Sequence, residues 1–220
     1  LTAINGTAAA VLQAIADLDT DPTNFNSTLS AGSATAADIA AIEAANGTGT
    51  INGSALTAIN GTAAEVVQAI ADLGTDPTHF NSTLTAGAVN ATDITAIEAA
   101  NGTGTINGSA LTAINGTYAQ IAQAKTDLDT DPTHFNSTLT AGAEDATDIS
   151  ALAAANGTGT INGSALTAIN GTYAQIAQAL TDLDTDPTNF NSTLTAGAVD
   201  ATDITAIEAA NGTGTINNST

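Results

Sequence analysis

The chain has 220 residues, with 22 Asp and Glu against one Lys or Arg, a net charge of −21, and no Cys, Met or Trp. A surface of that sign repels nucleic acid and anionic membranes, and without Cys there is no disulfide scaffold, thiol nucleophile or thiolate metal site. The 43% apolar content comes largely from Ala, with four Phe and two Tyr as the aromatics, so the core must be thin and closely spaced.

The opening segment Leu1-Thr-Ala-Ile-Asn-Gly-Thr7 returns at Leu56, Leu111 and Leu166, a period of 55 without insertion or deletion. It divides the chain into repeats 1–55, 56–110, 111–165 and 166–220. A second echo lies inside each repeat: Ser54-Ala-Leu-Thr-Ala58 resembles Ser82-Thr-Leu-Thr-Ala86 and then Ser109-Ala-Leu-Thr-Ala113. The structural unit is therefore about half a repeat, roughly 27 or 28 residues.

Each half reads as a short strand, a turn and a helix. The first half opens with the strand that begins at Leu1 or Leu56. Thr62 with Glu65, Thr117 with Gln120 and Thr172 with Gln175 then have the form of a capping box. Behind it, Val66, Val67, Ile70 and Leu73 recur at helical spacing and predict one apolar face. An Asp-Pro turn follows, and Phe25, Phe80, Phe135 and Phe190 read as plugs sealing the core beside it. The second half caps its helix with Thr35, Asn90, Asp145 or Asp200, followed three residues later by Asp38, Asp93, Asp148 or Asp203. Ile94, Ile97 and Ala100 mark its buried stripe, and Asn101-Gly-Thr-Gly-Thr105 ends the helix and turns the chain.

A lone strand–helix unit cannot bury its apolar face, whereas stacked neighbours share a continuous core. The expected fold is an α/β solenoid of about eight strand-turn-helix coils, with a parallel sheet on one side and Ala-rich helices on the other. Strands stack about 4.8 Å apart and helix axes about 8–10 Å apart, so gentle curvature is expected, with Ala reducing the mismatch. The chain starts in mid-module and carries no atypical capping repeat, which reads as a window of a longer array.

Two patterns are candidates for chemistry. The first is the acidic run Asp17, Asp19, Asp21, repeated as Asp127, Asp129, Asp131 and Asp182, Asp184, Asp186; the second repeat keeps Asp72 and Asp76 but has Gly74. Alternating carboxylates offer the hard oxygens that Ca²⁺ takes, and a stacked column of them would be relieved by a divalent ion. Against this, the run lacks the glycine and the bidentate Glu of an EF-hand loop, and Asp21, Asp76, Asp131 and Asp186 equally read as turn caps before Pro. The second is Asn-x-Ser/Thr, which begins at 18 of the 20 Asn residues. Read as glycan acceptors, the best placed are Asn26, Asn81, Asn136 and Asn191; read as turn residues, Asn at one level of a solenoid forms a hydrogen-bonded ladder, as at Asn60.

The remaining features are lattice-like. His79 and His134 stand where other repeats have Asn24 and Asn189 and read as polar turn contacts, and Lys125 stands where others have Ile15, Ile70 and Leu180, paired with a nearby acid or a local defect. Every acid recurs by period rather than converging on one place, no His–acid pair accompanies the Ser and Thr residues, and no enzyme is expected. Thr48 and Thr50 with their copies would form rows suited to a carbohydrate or ice surface, though on only one coil of two.

The passage Leu-Thr-Ala-Ile-x-Gly-Thr-Ala-Ala-x-Val, followed by Ala-Thr-Asp-Ile-x-Ala-Ile-Glu-Ala-Ala and Gly-Thr-Gly-Thr-Ile, resembles the Thr/Ala-rich repeat arrays of giant secreted cell-surface proteins of cyanobacteria and other marine bacteria. The chain departs from the modules found beside such arrays in having no Gly-Gly-x-Gly-x-Asp repeat. The resemblance implies surface-layer, adhesive or motility-associated roles, and the dense sequons would also suit an archaeal surface filament. The expected function is structural: an extracellular filament, sheath or stalk that self-associates, carries glycans and neither binds nucleic acid nor enters a membrane.

Overall fold

A computed structural model describes residues 1–195 and 197–218. They form an α/β structure of repeated strand–helix units, with eight helices among the described residues: α1 (Ala8–Ala16), α2 (Ala36–Asn46), α3 (Ala63–Asp72), α4 (Ala91–Ala100), α5 (Tyr118–Asp127), α6 (Ala146–Ala155), α7 (Tyr173–Asp182) and α8 (Ala201–Ala210). The chain groups into two compact units, one of Leu1–Leu111 with Ala124–Pro132 and one of Thr112–Gln123 with Thr133–Thr220.

In the first compact unit the strands are short and parallel. Ser27–Thr28 pairs with Ile51–Asn52, Gly32–Thr35 with Leu56–Asn60, and Ser82–Thr83 with Ile106–Asn107. Each regular sheet has two strands, and single parallel bridges carry the pairing on, from Ala3 to Asn26, Ala58 to Asn81 and Asn107 to Thr130. One ladder thus runs from Gly32–Thr35 through Leu56–Asn60, Asn81–Leu84 and Ile106–Asn107 to Thr130. Helices α1 to α4 pack in chain order, each on the next. The second compact unit repeats the scheme: Ser137–Thr138 pairs with Ile161–Asn162, Gly142–Asp145 with Leu166–Asn170, Ser192–Leu194 with Ile216–Asn218, and α7 packs between α6 and α8.

The sequence predicts one strand per half-repeat, whereas two strands stand between most successive helices, for example Ile106–Asn107 and Leu111–Asn115 between α4 and α5. The break is a tight corner in which the Leu111 N–H bonds the Gly108 carbonyl at 2.9 Å, and a side chain at Gly108 would meet Leu128. The Asn and His side-chain bonds to a neighbouring backbone span 23 or 24 residues, so two steps fall short of one 55-residue period. A ladder therefore does not pass through equivalent positions of successive repeats; Thr75 closes one and Thr130 another.

The core lies between strands and helices. Phe25, Phe80, Phe135 and Phe190 are all buried, as the plug reading expects. On α3 the buried line is Val66, Ala69 and Leu73, with Val67 and Ile70 only half-buried. On α4 it is Ala91, Ile94, Ile97 and then Asn101, not Ala100.

The capping boxes form as read. Thr62 accepts from the Glu65 N–H while Glu65 accepts from the Thr62 N–H at 2.9 Å, and the Thr62 backbone N–H, with its hydroxyl, holds the Glu65 carboxyl below its ordinary value. Thr117 with Gln120 and Thr172 with Gln175 match it. In the second half only Thr35 caps by its side chain, accepting from the Asp38 N–H at 3.1 Å. Asn90, Asp145 and Asp200 occupy the N-cap without that bond. Asn90 turns its amide to Asp93 instead, and a carboxylate at the cap is repelled by the acid three residues on, as Asp148 is by Asp145.

Candidate functional site

Three series of recurring polar residues share one task, bonding a strand–helix unit to the next. A strand leaves side chains on its outer face free to reach the neighbouring backbone, and a short Asn amide mimics a backbone carbonyl. Asn26 Oδ1 accepts from the Thr50 N–H at 2.9 Å, and Asn81, Asn136 and Asn191 do the same with Thr105, Thr160 and Thr215. Asn5, Asn60, Asn115 and Asn170 accept from the N–H of Thr28, Thr83, Thr138 and Thr193. A third series begins with Asn24, which accepts from both the N–H and the hydroxyl of Thr48 at 2.9 Å. Asn189 repeats this with Thr213. His79 and His134 fill the same place, with Nδ1 accepting from the N–H of Thr103 and Thr158 at 3.1 Å, which makes them the polar turn contacts expected.

The carboxylates of the acidic corner take separate partners. At the end of the odd-numbered helices Asp17, Asp72 and Asp182 accept from Gln13, Gln68 and Gln178. Asp127 and Asp182 also take a hydroxyl from the helix before, Thr95 at 2.9 Å and Ser150 at 2.6 Å. Asp129 and Asp184 accept from the N–H of Ile106 and Ile161 at 2.7 and 2.8 Å. Asp131 pairs with Lys125 at 2.9 Å, so the cation on the helix face reaches an acid as one of its readings had it. Asp19, Asp21, Asp76 and Asp186 lie exposed in the turn. Among the described residues no three His, Asp or Glu gather as a metal site.

The sequons divide by burial. Asn26, Asn81, Asn136 and Asn191 are exposed and use Oδ1, not the Nδ2 at which a glycan attaches. Asn60, Asn115 and Asn170 are half-buried and bond the backbone of Thr83, Thr138 and Thr193. Asn46, Asn101, Asn156 and Asn211 are buried at helix ends, where Asn101 and Asn156 donate to the carbonyls of Gly104 and Gly159. Sequence reasoning missed these as core residues because Asn-Gly reads as an exposed turn. It also missed the buried Ser27, Ser82, Ser137 and Ser192, whose alternation with the Phe two residues earlier was the available signal.

The Thr rows are exposed, but several of their hydroxyls are engaged: Thr50, Thr105 and Thr215 donate to Asn26, Asn81 and Asn191. Among the described residues no helix is long and apolar enough to cross a membrane. No family model matches the chain, and no curated protein matches it.

Proposed function

We propose that the chain is a structural repeat segment of an extracellular filament, sheath or adhesin stalk, folded as an α/β solenoid whose function is length. The observation that carries this reading is the use of the periodic polar residues: Asn5, Asn24, Asn26 and their copies, with the two His, bond the coil 23 or 24 residues on. Residues repeated with the lattice and engaged within it support a scaffold rather than a reactive centre. A carbohydrate- or ice-binding face is less well supported, since much of the hydroxyl capacity of its Thr rows goes to Asn within the lattice.

Glycans at the exposed Asn26, Asn81, Asn136 and Asn191 suit the same setting. Self-association of a chain with net charge −21 requires that charge to be offset, and cations at the Asp corners are the means we propose. Solution scattering tests the main reading: a long particle is expected, and a near-spherical one refutes it.

A further inference from the structure

We propose that the His79 and His134 clamps are proton-sensitive, so that the coils they join loosen in mild acid while the clamps at Asn24 and Asn189 hold. A backbone N–H can only donate. Nδ1 of His79, 3.1 Å from the Thr103 nitrogen, and Nδ1 of His134, 3.1 Å from the Thr158 nitrogen, must therefore carry a lone pair, with the ring proton on Nε2. Protonation places a hydrogen on Nδ1, turns the acceptor into a donor and sets it against the N–H it had bound. The Asn24 and Asn189 carbonyls take up no proton in this range and have two lone pairs, used for the N–H and the hydroxyl of Thr48 and Thr213. At His79 the single lone pair faces both the N–H and, at 3.2 Å, the hydroxyl of Thr103.

At His79 the Thr103 hydroxyl oxygen, 3.2 Å from Nδ1, can accept from the protonated ring, but the Thr103 N–H still loses its acceptor. The facing segment Asn101-Gly-Thr-Gly104 has no titratable side chain, nor has Asn156-Gly-Thr-Gly159. Around the equivalent Asn24 the groove is lined by Thr2, Phe25, Asn26, Thr48 and Gly49, again without a titratable group. The acid nearest in sequence on the same turn is Asp76 for His79 and Asp131 for His134, and Asp131 is engaged by Lys125. Proton uptake on Nδ1 opposes the bonded form, so the clamp weakens in acid.

Amide hydrogen exchange read residue by residue tests this, with the other repeats as controls in the same molecule. Between about pH 7.5 and about pH 5, after correction for intrinsic rates, protection of the Thr103 and Thr158 amides is expected to drop about tenfold, the equivalent of one neutral hydrogen bond. Thr48 and Thr213 should keep theirs. The double variant His79→Asn with His134→Asn, which installs the residue of the other repeats, should abolish the drop. Equal pH response at all four Thr residues, no response at Thr103 and Thr158, or a drop that survives in the double variant would each overturn the proposal. A local readout is needed because two carboxyls act in the opposite sense: desolvation pushes the buried Glu144 and the half-buried Asp148 up.

Discussion

The two corners of a repeat solve the same problem with different means. After α1, α3, α5 and α7 the chain turns through an acidic run whose carboxylates take separate partners, some in their own helix, some in the helix or strand before, while others lie exposed. After α2, α4, α6 and α8 it turns through Asn-Gly-Thr-Gly, where the glycines make the turn. Gly47, Gly102, Gly157 and Gly212 take φ between 63° and 70°, the left-handed region that favours glycine. A Cβ at Gly49, Gly104, Gly159 or Gly214 would fall onto the carbonyl of the preceding Phe. The difference shows in the four copies: the acidic corner tolerates Gly74 where others have Asp, whereas the glycine corner does not vary. Side-chain bonds at an exposed turn can be lost one at a time, but a backbone-to-backbone approach cannot.

The sharpest way to break this contrast is Gly104→Ala. The new methyl meets the backbone of Phe80 rather than a flexible side chain, so relaxation would have to move a coil. A loss of about 3 kcal/mol is expected, the upper part of the overpacking range, read as a fall in the thermal midpoint. A loss below about 1 kcal/mol would show that the coils slide freely and that the corner is not rigid. Next in size is Asn101→Ala. Asn101 is fully buried and donates to the Gly104 carbonyl at 3.2 Å, while its own Oδ1 has no partner. Leaving that carbonyl unsatisfied costs about 1–3 kcal/mol, partly offset by removing the orphaned Oδ1, so a loss of about 1–2 kcal/mol is expected by denaturant unfolding.

These two sites also mark where the sequence was readable. The period, the capping boxes at Thr62 and Thr172 and the Phe plugs follow from spacing and side-chain chemistry, and the structure has them. The stripe on α4 was right at Ile94 and Ile97 and wrong at its end, because helical spacing cannot say that Asn101 turns inward to bond a carbonyl in its own turn. The clamps were half legible. Asn24 and His79 were recognisable as equivalent polar residues, but their partners lie 24 residues away, and that offset depends on a register set by the glycine corner. The Asp residues looked like one cluster because they are close in sequence. In space, Asp127, Asp129 and Asp131 bond Thr95, Ile106 and Lys125 respectively.

The acidic corner can be sharpened in the favourable direction. Gly74 is the one copy without a carboxylate where Asp129 and Asp184 bond the N–H of Ile106 and Ile161. A Cβ there meets Thr50 and Ile51 at 3.4 Å or more, ordinary contact. Gly74→Asp should therefore bond the Ile51 N–H and also restrict the unfolded chain, together a gain of about 1 kcal/mol. A raised thermal midpoint supports single, replaceable bonds at this corner; a lowered one would show that the extra carboxylate is dominated by repulsion from Asp72 and Asp76.

The smallest effect separates tolerance of charge from tolerance of substitution. Glu144 stands where other repeats have Ala34, Val89 and Val199, and is only 9% exposed. Its Oε1 accepts from the Tyr118 N–H, at the start of α5, at 3.0 Å. Burial pushes its carboxyl above the ordinary value, with Asp148 and Asp145 adding to the rise and the Tyr118 bond opposing it. The folded chain thus keeps this proton to a higher pH than the unfolded chain. The stability linked to it is complete below the unfolded carboxylate range, around pH 4, and is lost as pH rises through the folded value. Glu144→Gln keeps the acceptor for Tyr118 and removes the charge, so it should match the parent in acid and exceed it at neutral pH by about 1 kcal/mol, a typical single-substitution effect. Thermal midpoints at about pH 4 and about pH 7.5 measure both limbs. If the variant is the weaker at neutral pH, the carboxylate is held for its attraction to the N-terminus of α5; the tolerance of acids at the Asp corners would then reflect what each carboxylate bonds rather than its exposure to water.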